Sequence, residues 1–405
     1  MENGPPSPGV GEVIRRYGAS FLERYGDRLT PTHRKVLAAL AACRTADMGA
    51  RVEQCDHCGA QVILYNSCND RHCPTCQGGK RAAWVEARQR EILPTVEYFH
   101  TVFTTPDDLY PIALAHPRTY YHLLFRAVRE TLLEIGASPK HLGARIGGWM
   151  VLHSWGQRLD LHPHIHVIVP GGGISSAGDQ WISCPRGFFL SVRVLGRKFR
   201  GKLLDLLKQA HANGELPMTG GLVHLDAAEQ FAAFLSPLYD MDWVVHCEAP
   251  EVGPDVVIKY LARYTYRVAI SNSRIVSIED GKVTFWYKDY ARNGKWDTMT
   301  LEADEFLRRF CLHVLPKGFM HVRPFGLLAN CHRAEKLDLA RKLLDNPETV
   351  NASTAETVDD KCQPAEPTGC TECGQGQLRL VLKTRRPTAK QLVARTYHSP
   401  YFNSS

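Results

Sequence analysis

The cysteines constrain the fold of this chain most strongly, because two Cys-x-x-Cys pairs stand fourteen residues apart in its N-terminal part. The four thiols belong to Cys55, Cys58, Cys73 and Cys76. Two such pairs at this spacing are typical of a structural zinc site that four thiolates close in tetrahedral geometry. The sequence therefore predicts that these four cysteines bind one Zn²⁺ in an N-terminal domain.

Other cysteines bear on a second metal site and on the compartment. Cys370 and Cys373 form a further pair, and Cys362 is a candidate third ligand beside them. The sequence does not decide whether these three cysteines bind a second zinc ion. Clustered cysteines favour metal binding in a reducing compartment over disulfides. The first residues show no signal-peptide pattern, and no apolar run reaches the ~18 residues of a membrane span. We therefore expect a cytoplasmic protein that does not contact a membrane.

A second constraint is the segment Leu161–Pro170, in which two histidines alternate with apolar residues. Successive side chains of a β-strand point to opposite faces, so His164 and His166 would share one face. The other face, which can pack on a core, carries Ile165, Val167 and Val169. Two imidazoles on a rigid strand suit a divalent metal ion. The alternative is an edge strand with solvated histidines.

The segments around this strand predict an α+β fold. Runs of β-branched and aromatic residues predict strands at 98–105, 147–155 and 242–247. Helical periodicity predicts helices at 117–135 and 188–212. This order favours a central antiparallel sheet flanked by helices.

Composition divides the chain into three parts. We expect residues 1–95 to form a helical and zinc-binding domain that contacts DNA, and residues 96–345 to form the catalytic domain. From residue 346 the chain becomes rich in Pro, Thr, Ala and acidic residues, with few large apolar side chains. Residues 346–405 are therefore expected to be a linker and a basic Cys-x-x-Cys tail.

Basic residues indicate an acidic partner. The net charge is +7, and two basic groups stand out. The first, Lys80 and Arg81, follows the zinc segment; the second lies on the predicted helix 188–212 and contains Arg197, Lys198 and Arg200. Such groups suit contacts with DNA phosphates, although a run of charges is equally compatible with a solvated face.

Tyr260 and Tyr264 are four residues apart, on one face of a helix predicted to follow Pro254. An aromatic pair at this spacing is usually part of a core. Here the tyrosines alternate with basic residues, including Arg263, in a chain that also offers a two-histidine metal strand. A phenol has a pKa of about 10 and is a poor nucleophile unless a metal ion or a base assists it. With such assistance, the two tyrosines are candidate nucleophiles for a phosphodiester.

The histidine strand followed by the tyrosine helix resembles the two-tyrosine rolling-circle insertion-sequence transposases of the HUH endonuclease superfamily. Six blocks match that family in order: NSCNDRHCPTCQ, HPHIHVIVPGGGIS, KYLARYTYRVAISNSRI, YKDYARNGKW, LHVLPKGF and GLLANCHRAEKL. The resemblance covers residues 12–345 and implies a ferredoxin- or RRM-like catalytic fold. It also implies cleavage and rejoining of single-stranded element ends and target DNA through 5′-phosphotyrosine intermediates.

The resemblance further implies roles for individual residues. His164 and His166 match the family's metal-binding pair, which holds Mg²⁺ or Mn²⁺. Tyr260 and Tyr264 match its nucleophiles. The superfamily usually adds a third metal ligand, and we choose Gln157 for it here.

The other candidate for that third ligand is His153, on the strand before the histidine pair. The chain contains no GxxxxGK[ST] loop, so host replication or helicase proteins would have to separate the DNA strands. Three other functions fit part of the pattern. A plasmid-type replication initiator or relaxase would share the nicking chemistry. A zinc-finger DNA-binding protein would leave the histidine and tyrosine pairs unexplained, and a zinc hydrolase would need a third close ligand and a general base.

Overall fold

The computed structural model of the chain describes residues 8–77, 86, 88, 91–93, 95–248, 265, 268–345 and 369–398. The α-helices in these ranges are α1 (Val10–Tyr25), α2 (Pro31–Ala42), α3 (Tyr110–Ala115), α4 (Pro117–Ala137), α5 (Val192–Ala212), α6 (Ala228–Asp240), α7 (Ala303–Cys311), α8 (Arg333–Leu344) and α9 (Ala389–His398).

The β-strands in the same ranges belong to four sheets. They are β1 (Ala50–Cys55), β2 (Gln61–Tyr65), β3 (Tyr98–Thr104), β4 (Ala144–Arg145), β5 (Gly147–Trp155), β6 (Leu161–Pro170), β7 (Gly172–Ser175), β8 (Trp181–Ser183), β9 (Val245–Glu248), β10 (Ile275–Glu279), β11 (Lys282–Asp289), β12 (Lys295–Glu302), β13 (Val322–Gly326) and β14 (Leu378–Lys383). The α+β class with antiparallel sheets and flanking helices is confirmed.

The chain folds into two compact units, each built from separate stretches of sequence. Unit 1 lies within residues 1–79, 270–314 and 350–405, and unit 2 lies within residues 80–269 and 315–349. This division differs from the boundaries expected from the sequence. Residues 270–314 join the N-terminal stretch and not the catalytic one, and the Cys-x-x-Cys tail is part of unit 1.

Unit 2 is organised around a five-stranded antiparallel sheet in the order β13-β5-β6-β3-β9. The histidine strand β6 lies at its centre, hydrogen-bonded to β5 and β3 on either side. The alternative of an edge strand is therefore wrong. The backbone reverses between β5 and β6 in a short loop in which Leu159 adopts a left-handed φ of 59°.

The two faces of strand β6 are buried by different sets of side chains. Ile165, Val167 and Val169 are fully buried in one core cluster, which also contains apolar side chains of α4 and α5. On the opposite face, Ile168 belongs to a second cluster that includes Leu337 of α8. Helices therefore flank both faces of the sheet, and His164 and His166 lie on the α8 side of the alternation.

Unit 1 combines helices with two small antiparallel sheets. Helix α2 begins after Thr30, whose hydroxyl accepts a hydrogen bond from the backbone N–H of His33 at 3.4 Å. The hairpin β10–β11 turns at Asp280 and Gly281, whose φ values of 47° and 76° suit a two-residue turn. The other sheet, in the order β14-β1-β2, joins the C-terminal strand to the N-terminal hairpin.

None of the helices in the described parts of the chain is long and apolar enough to cross a membrane.

Candidate active site

The centre of the candidate active site is the pair of imidazoles on strand β6. The Nε2 atoms of His164 and His166 face each other at 3.1 Å. Two nitrogen ligands that each lie about 2.1 Å from one ion are about 3.0 Å apart in octahedral geometry and about 3.4 Å apart in tetrahedral geometry. His166 is buried, and His164 is half-buried. The pair therefore has the spacing that binding to a common divalent ion requires.

Hydrogen bonds orient both rings so that their Nε2 atoms face the site. The Nδ1 of His164 lies 2.6 Å from the carbonyl oxygen of His162. Because a carbonyl only accepts, this Nδ1 carries the proton, and the lone pair of a neutral ring is left on Nε2. The Nδ1 of His166 lies 2.8 Å from Nε2 of His100 on strand β3. Partners of this kind fix ring orientation in metal-binding histidines.

A third imidazole, that of His153, completes the cluster. His153 faces His164 across the β5–β6 register, and its ring centroid lies 4.4 Å from that of His166. One ring nitrogen of each of the three histidines lies within 4.8 Å of the others. His153 is 2% exposed and stacks on Trp155 with centroids 4.5 Å apart, so its ring is held in place. Gln157, chosen from the sequence as third ligand, lies in the half-exposed loop after β5 and stays a prediction.

An acidic side chain lies behind the cluster. Glu248 on β9 contacts Nδ1 of His100 at 3.7 Å and Nε2 of His246 at 3.0 Å. Burial lowers the pKa of His100 to about 4, although Glu248 acts in the opposite direction. His100 is therefore neutral at physiological pH, and it can donate to or accept from His166 without adding charge to the site.

The predicted nucleophiles, Tyr260 and Tyr264, lie outside the described residues, as does Arg263. Thr265, the residue after Tyr264, is described and is 3% exposed. Its carbonyl oxygen accepts a hydrogen bond from Nε2 of His321 at 3.0 Å. His321 in turn accepts a hydrogen bond at its own carbonyl from the backbone N–H of residue 152, at 2.9 Å. Thr265 is thus linked to the strand that carries His153.

The predicted DNA-contacting residues of helix α5 have different environments. Arg197 and Arg200 line a cleft of about 360 Å³ beside strand β9. Arg200 also donates to the carbonyl of Met241 at 2.6 Å. Lys198 instead forms a 2.7 Å ion pair with Glu134. Lys80 and Arg81 lie outside the described residues.

The cysteines of unit 1 form two groups of four. Cluster A consists of Cys43, Cys68, Cys73 and Cys76. Cluster B consists of Cys55, Cys58, Cys370 and Cys373. The prediction of one site from the two N-terminal pairs is therefore wrong, because each pair joins different partners. Strand β14 pairs with β1 and brings the C-terminal pair to Cys55, whereas the turn at Cys73 lies at the end of helix α2.

The sulfur atoms have the spacing of metal ligands and not of disulfides. In cluster A, the Sγ–Sγ distance is 3.5 Å between Cys43 and Cys76. It is 3.6 Å between Cys68 and Cys76, and also between Cys73 and Cys43. A tetrahedral zinc ion with Zn–S bonds of about 2.3 Å separates its sulfurs by about 3.8 Å, whereas a disulfide measures about 2.05 Å. All cysteines of both clusters are free.

Backbone N–H groups and neighbouring thiols favour the thiolate form at some of these positions. Hydrogen bonds from the N–H groups of Gln375 and Gly376 lower the pKa of Cys373 to about 6. The Cys68 thiol, as the strongest of several donors, lowers the pKa of Cys43 to about 7. Thiolates are the form in which cysteine binds zinc.

Two family models match the chain. One, described as "Transposase zinc-binding domain", matches residues 13–105, and the other, described as "Putative transposase", matches residues 147–336. The "Putative transposase y4qJ" of Sinorhizobium fredii is 46% identical over 376 residues, which are 92% of this chain and 94% of that relative. The chain belongs to the IS91 family of transposases.

A second relative agrees with this assignment. The "Transposase for insertion sequence element IS801" of Pseudomonas savastanoi pv. phaseolicola is 29% identical over 317 residues, which cover 77% of this transposase and 73% of that protein. No solved structure matches the transposase significantly. The zinc-binding family model and the cysteine clusters together support structural Zn²⁺ in unit 1.

Sequence reasoning missed several residues of these sites. His100 lies on a predicted strand and Glu248 directly follows the predicted strand 242–247, but nothing in their local pattern marks His100 as a neighbour of His166 or Glu248 as a neighbour of His100. Cys43 and Cys68 belong to cluster A, but neither is part of a Cys-x-x-Cys pair. Their presence was a signal, because two cysteines in addition to two complete pairs exceed the four ligands that one zinc ion needs.

Proposed function

We propose that this transposase cleaves and rejoins single-stranded DNA with Tyr260 and Tyr264 as nucleophiles, through 5′-phosphotyrosine intermediates in rolling-circle-type transposition. The observation that carries the proposal is the convergence of three imidazoles on the central strands of the sheet, with two Nε2 atoms 3.1 Å apart. The proposal assigns the third ligand position to His153 in preference to Gln157, because its ring belongs to this group.

The tyrosines are supported by their position in the chain. Tyr264 precedes Thr265, and Thr265 is held through His321 beside strand β5. Tyr260 and Tyr264 are one helical turn apart if the predicted helix extends through both.

The proposed reaction conserves the phosphodiester energy. The phenolic oxygen of one tyrosine attacks the scissile phosphorus, the P–O3′ bond breaks, and the leaving 3′ oxygen takes up a proton. The free 3′-OH later attacks a phosphotyrosine, forms a new P–O3′ bond and releases the tyrosine with its proton. Two tyrosines permit two covalent protein–DNA bonds at once, and no nucleotide cofactor is required.

His153, His164 and His166 would hold the catalytic divalent ion. Mg²⁺ or Mn²⁺ bound there would polarise and orient the scissile phosphate. Imidazole is a softer ligand than the oxygen donors that Mg²⁺ prefers, so the all-histidine set favours Mn²⁺ of the two. The His162 carbonyl and His100 keep the ligand rings oriented.

DNA is the partner of this proposal, and the cleft beside helix α5 is one candidate contact. We expect Arg197→Ala to weaken binding of a single-stranded element end. The association constant should also fall less steeply with salt, by about 1 in the slope of its logarithm against the logarithm of salt concentration, because one phosphate contact is lost. Lys198→Ala is the matched control on the same helix: its ammonium is already paired with Glu134, so its slope should change less. Fluorescence anisotropy over a salt series measures both, and equal slopes for the two variants would contradict the assignment.

A nicking assay tests the function directly. Single strands that carry the DNA flanking the gene should be cut in the presence of Mn²⁺ or Mg²⁺, with the protein joined covalently to the 5′-phosphate of the downstream fragment. Chelation with EDTA should abolish cutting, and a strand of scrambled sequence should stay intact. Strand separation in the cell would fall to host replication or helicase proteins.

The same assay separates the alternative functions. Cutting by water, without an adduct, would contradict the tyrosine mechanism and favour a hydrolase. Binding without any metal-dependent cutting would favour a DNA-binding protein without catalysis. A replication initiator would nick its own origin but would not join the cut end to a second DNA.

A further inference from the structure

Cluster B joins two parts of the chain that are far apart in sequence. Its Sγ–Sγ distances are 3.7 Å from Cys55 to Cys373 and 3.8 Å from Cys58 to Cys370, across 318 and 312 residues. Both distances match the separation of about 3.8 Å between the sulfurs of a tetrahedral Zn²⁺. The zinc-binding family model ends at residue 105 and therefore does not include the C-terminal pair.

The backbone around cluster B is shaped to fit the sulfurs. The N–H groups of His57 and Gly376 donate to Sγ of Cys55 and of Cys373, each at 3.4 Å. Gly376 approaches so closely that a Cβ added to it would lie 2.3 Å from Sγ of Cys55. Such N–H···S bonds stabilise thiolates, and the absence of a side chain at residue 376 leaves room for the Cys55 sulfur.

Strand β14 is held on β1 by backbone pairing and polar contacts, and its apolar side chains add little. Its central residues Leu380, Val381 and Leu382 are 58%, 57% and 55% exposed, so apolar burial contributes little to holding the strand on β1. Small units without a sufficient core are often held by a metal. Beyond the strand, Leu392 of α9 packs on Ala38 and Ala42 of α2.

We propose that Cys55, Cys58, Cys370 and Cys373 bind a second structural Zn²⁺, separate from the one at cluster A, and that this ion fastens the C-terminal segment to the N-terminal hairpin. The strand it holds brings Lys383, Arg385 and Arg386 next to Arg51 around a groove of about 670 Å³. The ion thus determines whether four basic side chains share one surface.

Zinc stoichiometry of the full-length transposase tests this inference. We expect roughly two Zn²⁺ per chain by elemental analysis, and roughly one in the Cys370→Ser/Cys373→Ser variant. One Zn²⁺ per chain in the wild type, unchanged in the variant, would overturn the inference, since a single site from Cys55, Cys58, Cys73 and Cys76 predicts that result. The measurement does not depend on DNA cleavage, so its failure and that of the proposed function are distinguishable.

A second variant covers the case in which the serine variant does not fold. Gly376→Ala keeps all cysteines but places a methyl group against the Cys55 sulfur. Gly369→Ala is the matched control, because a Cβ there meets no atom within 4 Å. After exchange of Zn²⁺ for ¹¹³Cd²⁺, the wild type and Gly369→Ala should give two tetrathiolate resonances, and Gly376→Ala should shift or lose one. Unchanged resonances in Gly376→Ala, or a single resonance in the wild type, would overturn the inference.

Discussion

Replacing both Tyr260 and Tyr264 by phenylalanine should abolish covalent attachment of the transposase to single-stranded element ends. Each substitution removes only the phenolic oxygen that would attack phosphorus, so the loss reports on the nucleophile. Removal of a nucleophile typically costs many orders of magnitude in rate, about 10⁶-fold in one hydrolase. Denaturing gel electrophoresis of a labelled strand after incubation with metal measures the adduct.

The single variants serve as controls for this result. Tyr260→Phe and Tyr264→Phe should each retain part of the reaction, since one nucleophile is left in each. Tyr120→Phe adds a control within unit 2, because Tyr120 of α4 is fully buried in the core. An adduct that persists in the double variant would exclude these two residues as the nucleophiles.

The second large effect is expected at the histidine cluster. His166→Ala removes a ring nitrogen from the site and leaves His100 without the contact at 2.8 Å. Loss of residues that merely orient a ligand costs about 10–100-fold in metal affinity or activity. Loss of the ligand itself should therefore reduce nicking by about 10²-fold or more at fixed metal concentration. The rate and its dependence on Mn²⁺ concentration measure this, and a higher Mn²⁺ requirement should accompany the loss.

His162→Ala is the matched control on the same strand. Its ring contacts the hydroxyl of Tyr110 at 2.9 Å, and its hydrogen bond to His164 is made by the backbone carbonyl, which the substitution keeps. Nicking by this variant should stay near wild type. His153→Ala and Gln157→Ala are compared in the same Mn²⁺ titration. The variant that needs the higher Mn²⁺ concentration for nicking identifies the third ligand. A wild-type Mn²⁺ requirement in His166→Ala would argue against a metal site here.

The sequence predicted much of unit 2, because its strands and helices are long and their periodicity is regular. Strand β5 begins and ends at the predicted residues, and the face of β6 that carries Ile165 and Val167 is buried as expected. Strand β13 was missed. It contains Pro324 and is an edge strand, in a place where a missing backbone N–H is tolerated.

The sites were predicted unevenly for a physical reason. Alternate residues on one strand point to the same face at a fixed spacing, so His164 and His166 could be paired from the sequence alone. Cysteine spacing shows which thiols form a pair, but it does not show which two pairs share an ion. That information lies in the pairing of β14 with β1, between residues more than three hundred positions apart, and no local pattern specifies it.

The split construction of unit 1 has a consequence for the order of events during synthesis. Cys55 and Cys58 leave the ribosome early, but Cys370 follows Cys58 by 312 residues. At ordinary elongation rates this delay is about 15–60 s. Throughout that interval β1 lacks its C-terminal neighbour, and all residues of the central sheet of unit 2 are made before the interval ends. The ribbon of β14, β1 and β2 can therefore form only after the chain has been made as far as β14, and a ribosome that stops before residue 370 yields a chain that never completes it.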